Sequence, residues 1–326
     1  MATVFAGFGQ AQTEAERLIQ AGHWKRARVM VERRYQADPN DALANYLLSQ
    51  IRYAFGDHAA PLALAERAVT LNSGVAKYHR QVAEVLGVEA EHAGPFRQFL
   101  LARRFRKEID TAIALDGQDL QALRDLMEFY LLAPGIAGGD FQKARAMAER
   151  IRGIDAAEGY LAQARLAAFR KHPAQEALLR QAAHAQPPSY RARMELARFE
   201  LGGGHRNLDV AEAAAKEAIQ MDRNRVEGYA ILAAVYATRE DAGALDTALS
   251  EAIRQVPDDL APYYRAAEVL VKNNRDAPRA QEYLRKYLSQ EPEGNEPPAA
   301  EARRLLAIAG TGRDQSHSGL EADAPQ

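Results

Sequence analysis

Residues 226–259 read VEGYAILAAVYATREDAGALDTALSEAIRQVPDD, and this stretch decides the fold. Its first half carries apolar residues at spacings of three and four, which is the period of one face of an α-helix. Those residues are Tyr229, Leu232, Ala233 and Tyr236. The second half repeats the spacing with Leu245, Leu249 and Ala252. Pro257 then ends the second helix, because proline has no N–H and clashes with the preceding turn. The stretch therefore predicts two antiparallel helices joined by a short turn.

The spacing of these residues resembles the tetratricopeptide repeat family, in its bacterial form. The family pattern runs over about 34 residues and places an aromatic residue, Leu, a small residue and Tyr on the first helix. In this sequence Leu245 and Leu249 replace the small and aromatic residues of the second helix. The resemblance implies an all-α fold, a right-handed superhelical solenoid of antiparallel helix pairs in which each pair packs on its neighbours.

The same pattern recurs on both sides of this stretch. We expect about eight helix pairs between residues 12 and 309. The last helix, Pro297–Ala309, is predicted to cover the apolar face of the final pair. Residues 310–326 are rich in Gly, Ser, Asp and Pro and predict a disordered tail. Residues 1–11 are apolar and uncharged, which fits either a flexible terminus or the remnant of a secretory signal.

Two units are longer than the rest. In the third unit, Ala76–Gln118, the extra length falls around Gly87–Pro95, where we expect a long turn between the helices. In the fourth unit, Asp119–Glu158, it falls in the glycine-rich residues 132–140, and Asp140 is predicted to cap the helix that follows. Insertions in a repeat array map to loops on one face, often near the binding surface.

Composition excludes several classes of function. The chain has 326 residues and no cysteine, so disulfides, thiolate metal sites and cysteine nucleophiles are ruled out. Its formal net charge of −2 gives no basic excess for nucleic acid. No run of apolar residues is long enough to predict a transmembrane helix. These features do not determine the compartment. We expect the cytoplasm, or the periplasm if residues 1–11 are a truncated signal peptide.

Motifs for chemistry are missing from the sequence. The loop GIAGGD at 135–140 lacks the Gly-Lys-Ser/Thr ending of a phosphate-binding loop, and no strand precedes it. The eight histidines are scattered without the spacing of a metal site. We therefore expect a protein that is not an enzyme and that has no catalytic residues, cofactor or metal.

A solenoid of helix pairs is expected to bind partners on its concave face, which the first helix of each pair lines. Residues offset by one position from the packing stripe are the candidates for the groove. Tyrosine and arginine among them are typical of protein interfaces. The candidates are Tyr46, Gln50, Tyr53, Arg80, Glu84, Arg124, Glu128, Leu132, Met194, Arg198, Tyr264, Glu268 and Lys272.

Three functions are compatible with this pattern. The first is a scaffold or adaptor that binds a protein or peptide of mixed charge in the concave groove. The second is a structural component that self-associates, in a homo-oligomer or an envelope assembly. The third is a carrier of a small ligand, or an enzyme, that uses the glycine-rich insertions as a lid.

Overall fold

The computed structural model describes residues 12–57, 59–202 and 206–311, in which the chain forms seventeen α-helices and no β-strand. They make eight consecutive pairs and a final single helix, which confirms the predicted helical repeat solenoid. In chain order they are α1 (Glu14–Gln20), α2 (Trp24–Ala37), α3 (Ala42–Ala54), α4 (Pro61–Leu71), α5 (Ala76–Glu91), α6 (Pro95–Leu115), α7 (Leu120–Leu132), α8 (Phe141–Ile154), α9 (Ala156–Phe169), α10 (Gln175–His184), α11 (Tyr190–Gly202), α12 (Leu208–Met221), α13 (Glu227–Arg239), α14 (Ala242–Gln255), α15 (Ala261–Lys272), α16 (Ala277–Tyr287) and α17 (Ala299–Thr311).

The two helices of a pair occupy different sides of the solenoid. We call the first helix of each pair the A helix and the second the B helix. From α3 to α15, successive A helices contact one another at most junctions, whereas successive B helices of the described residues make no comparable contact. Helices that approach each other more closely lie at the smaller radius of a curved array. The A helices therefore line the concave side, which we call the inner face.

Aspartate side chains start many of the helices. Asp41, Asp119, Asp140, Asp155 and Asp241 each accept a hydrogen bond from a backbone N–H in the first turn of the helix that follows. Such a cap satisfies an amide that has no partner within the helix. The predicted cap at Asp140 is thus confirmed, and the short turns between helices are fixed by local sequence.

Alanine fills the contacts between helices. Because its side chain is a single methyl group, two helix backbones can approach closely wherever it lies between them. The B helices carry a row of alanines with no exposed surface. They are Ala27, Ala65, Ala68, Ala112, Ala144, Ala148, Ala182, Ala211, Ala215, Ala218 and Ala280.

One helix contact needs a glycine. Gly159 lies on α9 against Arg152 of α8, and a Cβ atom at position 159 would be 2.4 Å from the Arg152 Cα. A separation this small forces the two backbones apart. Gly153, on α8 itself, has open space around the position that a Cβ would occupy.

We predict that alanine has opposite effects at these two glycines. Gly159→Ala should lower the free energy of unfolding by about 1 to 3 kcal/mol, because α8 and α9 must separate. Gly153→Ala should leave it unchanged or raise it by up to about 1 kcal/mol, because alanine favours the helix and meets no neighbour. Urea unfolding followed by circular dichroism measures both, and equal effects at the two sites would contradict this account of the contact.

Two expected boundaries are corrected by the structure. Residues 87–91 continue α5, and α6 begins at Pro95, so the extra length of the third unit extends both helices instead of forming a long turn. The final helix begins at Ala299 and continues through Gly310 to Thr311, beyond its predicted end. The proposed signal remnant at 1–11 and residues 312–326 of the predicted tail lie outside the described residues. None of the described helices is long and apolar enough to cross a membrane.

The first helix pair contacts the last two pairs. Lys25 on α2 donates hydrogen bonds from Nζ to the carbonyl oxygens of Asp258, at 2.5 Å, and Glu291, at 2.8 Å. Its backbone N–H donates to Glu293 Oε2 at 2.8 Å. Arg26 pairs with Asp258, and Arg28 pairs with Glu291. We call this set of bonds the closure contact, because it joins the two ends of the array.

The only tryptophan of the chain lies in the closure contact. Trp24 packs on Gly294, where a Cβ atom would be only 2.9 Å from the indole Cδ1. Gly294 has a φ of +55°, a conformation that most residues with a side chain adopt rarely. The indole ring is partly buried there and packs against the core residues of α2 and α3, such as Ala27 and Leu47. Its fluorescence should therefore report whether the ends of the array are in contact.

We predict that Lys25→Ala weakens the closure contact while the helices remain intact. The carbonyl groups of Asp258 and Glu291 lose a charged donor, and the free energy of unfolding should fall by about 1 to 3 kcal/mol. Trp24 emission in the native state should shift to longer wavelength. The control is Arg33→Ala, an exposed position on the same helix. Unchanged emission and stability in Lys25→Ala would contradict the contact.

Candidate functional site

Three of the predicted groove residues are buried. Tyr46, Met194 and Tyr264 are 5%, 1% and 2% exposed, and they belong to the hydrophobic core. The expected exposure on the groove is not observed for them. Each A helix packs on its own B helix, on the preceding B helix and on neighbouring A helices, so its buried arc is wider than the stripe that sequence spacing defines. Tyr46 and Tyr264 instead pack on the tyrosine rings of Tyr78 and Tyr287.

Charged groove candidates are paired across neighbouring A helices. Arg124 on α7 donates to Glu158 on α9 at 2.7 Å, and Arg191 on α11 bonds the same carboxylate. Glu128 on α7 accepts two hydrogen bonds from Arg165 on α9, at 2.8 and 2.7 Å. A guanidinium group that bonds both oxygens of a carboxylate fixes the geometry of the pair. These bonds hold α7, α9 and α11 in register on the inner face.

The remaining candidates are divided between paired and exposed positions. Arg80 bonds the Asp119 carboxylate at 3.2 Å, and Gln50 donates to the Tyr46 hydroxyl at 3.2 Å. Lys272 bonds Glu268 one turn away, at 2.8 Å. Tyr53 and Glu84 are partly buried. Arg198 is exposed and bonds Glu195 at 3.0 Å, while Leu132 is 62% exposed at the end of α7.

A first cleft, which we call the central cleft, lies on the inner face between α7, α9 and α11. Its volume is about 490 Å³. Arg124, Arg165, Arg191 and Arg198 bring positive charge to it, and Glu128, Glu195 and Asp125 bring negative charge. The sequence predicted three members of this cleft, Arg124 and Glu128 on α7 and Arg198 on α11, but it did not predict Arg165, Arg191 or Glu195.

A second cleft, which we call the apolar cleft, lies beside α7 and is formed by the two long units. Its volume is about 390 Å³, and three phenylalanines line it, Phe99, Phe105 and Phe129. The rings of Phe105 and Phe129 stack with their centroids 5.3 Å apart. The phenylalanines were missed by the sequence analysis. For Phe99 and Phe105, a sequence pattern could have indicated the cleft. Residues 96–105, FRQFLLARRF, contain more apolar residues than one packing stripe of a helix needs.

The segment after α7 forms one wall of the apolar cleft. Gly139 donates its N–H to the Pro134 carbonyl, and Asp140 donates to the Tyr130 carbonyl at 2.8 Å. A Cβ atom at position 139 would be 1.7 Å from the Ala133 oxygen, so glycine is required where the segment folds back. Ile136, in the short 3-10 turn Gly135–Ala137, is 89% exposed at the mouth of the cleft.

Two carboxylates lie side by side where the two clefts meet. Burial and the neighbouring Glu84 carboxylate raise the pKa of Asp125 to about 7. Burial also raises the pKa of Glu84, and the positive charge of Arg80 opposes this effect. Gln121 donates to Asp125 Oδ1 at 2.8 Å, but Asp125 Oδ2 is buried and has no hydrogen-bond partner among the described residues.

We predict that Asp125→Asn stabilises the protein at high pH. The pKa of Asp125 is higher in the folded chain than the ordinary value of 3.8, so its contribution to stability falls as pH rises from about 4 to about 7. An asparagine removes that loss. At pH 8 the variant should be more stable than wild type by about 1 to 3 kcal/mol, and at pH 4 the two should differ little.

Urea unfolding from pH 4 to pH 8 measures this difference. Burial also raises the pKa values of Glu293, to about 7, and of Asp259, to about 6, but both groups are present in the two proteins and cancel in the comparison. The control is Asp110→Asn, an exposed carboxylate on α6 that pairs with Arg106. Parallel stability curves for wild type and Asp125→Asn would show that Asp125 titrates normally.

Within the described residues, no group of three or more His, Asp or Glu side chains is placed to hold a metal ion.

No protein-family model and no curated protein matches the sequence. Solved structures do match. Yeast Tom70 is 14% identical with a TM-score of 0.57, and the match covers 98% of this chain and 68% of the Tom70 chain. The fold is that of a tetratricopeptide repeat solenoid.

Two further structures overlap most of this chain with lower scores. A tetratricopeptide repeat protein from Parabacteroides merdae is 11% identical, with a TM-score of 0.43, and the match covers 91% of this chain and 96% of that one. The Cut9–Hcn1 hetero-tetramer of the APC/C is 14% identical, with a TM-score of 0.45, and the match covers 90% of this chain and 54% of that one. The likeness to Tom70 concerns the fold alone, so the function has to be argued from the inner face itself.

Proposed function

We propose that the chain is a non-catalytic scaffold that binds a protein or peptide segment of mixed charge along its inner face. The observation that carries this proposal is the central cleft, where three consecutive A helices bring guanidinium and carboxylate groups together. Both signs of charge alternate over a short distance. A partner segment that also carries both signs could satisfy them together.

The groups of the central cleft are held in place before any partner binds. Arg124 and Arg191 share the Glu158 carboxylate, which is itself almost fully buried. Side chains that are already ordered lose little conformational freedom on binding, which favours affinity. The same bonds also oppose binding. A partner that bonds the Arg124 or Arg191 guanidinium group has to displace the Glu158 carboxylate to which that group is already bonded.

Arg198 is the position at which a partner meets the least competition. It is exposed, and its only hydrogen bond within the part of the chain that the structure describes goes to Glu195, three residues earlier on the same helix. An exposed pair of this kind contributes little to stability. A substitution at Arg198 therefore tests binding with little effect on folding.

The chain offers a matched control for this position. Arg254 on the B helix α14 is also exposed and also bonds a glutamate three residues earlier, Glu251. Arg198 and Arg254 thus differ mainly in the side of the solenoid on which they lie.

We predict that Arg198→Glu reduces the capture of a partner and that Arg254→Glu does not. Proteins retained from a lysate of the source organism by wild type and by both variants would be quantified by mass spectrometry. At least one protein should be retained by wild type and Arg254→Glu and lost with Arg198→Glu, at unchanged melting temperatures. If all three baits retain the same proteins in equal amounts, the inner face does not carry the binding.

A further inference from the structure

The apolar cleft is made by the parts of the chain that exceed a regular repeat. The lengthened α5 and α6 form one side, and the end of α7 with residues 133–139 forms the other. Regular helix pairs bury their apolar residues against one another, yet here Phe99 and Phe129 are only partly buried and line, together with the buried Phe105, an open space of about 390 Å³. Large apolar side chains also remain exposed on the elements that form it. They are Phe96, Leu100, Leu132 and Ile136.

The charged side chains that line the apolar cleft are all carboxylates, and cations lie behind them: the Arg103 guanidinium is 5.9 Å from the centre of the Phe99 ring. Its lining includes the carboxylates of Glu84, Glu91, Asp125 and Glu128 and, in residues 12–57, 59–202 and 206–311, no lysine or arginine. Glu128 is bonded by Arg165, and the nearby Arg80 bonds Asp119. Asp125 Oδ2 is buried, and no described residue donates a hydrogen bond to it. A buried carboxylate oxygen without a donor is costly, and a cation from outside would remove that cost.

We propose that the apolar cleft binds the part of a partner segment in which a lysine or arginine stands beside one or two bulky apolar side chains. The apolar side chains pack among Phe99, Phe105 and Phe129, and the cation bonds Asp125 beside Glu84. The volume of the cleft is at the lower end of the range for ligand pockets, which suits one or two side chains.

This inference rests on the proposed function, because the two clefts share part of their lining. Asp125 and Glu128 line both the central cleft and the apolar cleft. A segment that lies along the inner face can therefore cross α7 and enter the apolar cleft without leaving the surface. The partner is a peptide segment for this reason, and not an isolated small molecule.

The test begins with phage-displayed random peptides selected on the immobilised wild-type chain. Enriched peptides should contain a lysine or arginine next to Phe, Leu, Ile or Met. One of them is then synthesised in two forms, with its basic residue and with norleucine in that place. Calorimetric titration should give a Kd for the norleucine form that is higher by roughly tenfold, since it lacks the charge-assisted bond.

A double-mutant cycle assigns the bond to Asp125. Asp125→Asn should raise the Kd of the basic peptide by roughly tenfold and should leave the Kd of the norleucine peptide nearly unchanged. Asp110→Asn, the exposed control, should change neither. Equal effects of Asp125→Asn on the two peptides would overturn the proposal, and so would enriched peptides without the basic and apolar pair.

The outcomes separate this inference from the broader one. If the selected peptides lose affinity with Arg198→Glu but are indifferent to Asp125→Asn, the inner face binds segments and the role of the apolar cleft is wrong. If no peptide is enriched on the wild-type chain, both proposals fail.

Discussion

Close approach of helices at alanine and glycine is the constraint on which the rest of this structure depends. Fully buried alanines lie on the B helices, and Gly159 allows α9 to contact the backbone of α8. Small residues leave no room for adjustment, so each contact fixes the rotation from one pair to the next. Repeated along eight pairs, that rotation brings α2 to the turns around Asp258 and Glu291. Local packing thus determines the closure contact between the ends of the array.

The inner face uses charge in two ways. Between α7, α9 and α11, arginines and glutamates pair with each other and hold successive helices in register. Beside them, Glu84 and Asp125 lie close together, and the neighbouring Arg80 and Arg124 each bond another carboxylate. The first arrangement stabilises the array, whereas the second raises the energy of the free protein until a cation arrives. One part of this surface holds its side chains rigidly, and the next part has a carboxylate oxygen that lacks a hydrogen-bond donor among the described residues. Such a surface can discriminate between partners by charge and by shape.

Sequence periodicity predicted the helices and their pairing, because each helix repeats apolar residues at spacings of three and four. It could not place every groove residue, since Tyr46, Met194 and Tyr264 are buried by neighbours that one helix stripe does not reveal. The apolar cleft depends on two units that are apart in sequence, so its phenylalanines could not be assembled from local patterns. The closure contact joins Lys25 to Glu293, which are 268 residues apart. Nothing in the local sequence of either residue indicates the other.

The central claim, that the array is closed by contact between its first and last pairs, can be measured directly as a distance in solution. The chain has no cysteine, so Val29→Cys on α2 and Ser289→Cys after α16 would be the only sites for spin labels. Both positions are exposed. Double electron–electron resonance should give a single narrow peak at short distance, and the same pair in the Lys25→Ala background should give a broader distribution. A broad distribution centred at long distance in the otherwise native chain would contradict the closed array.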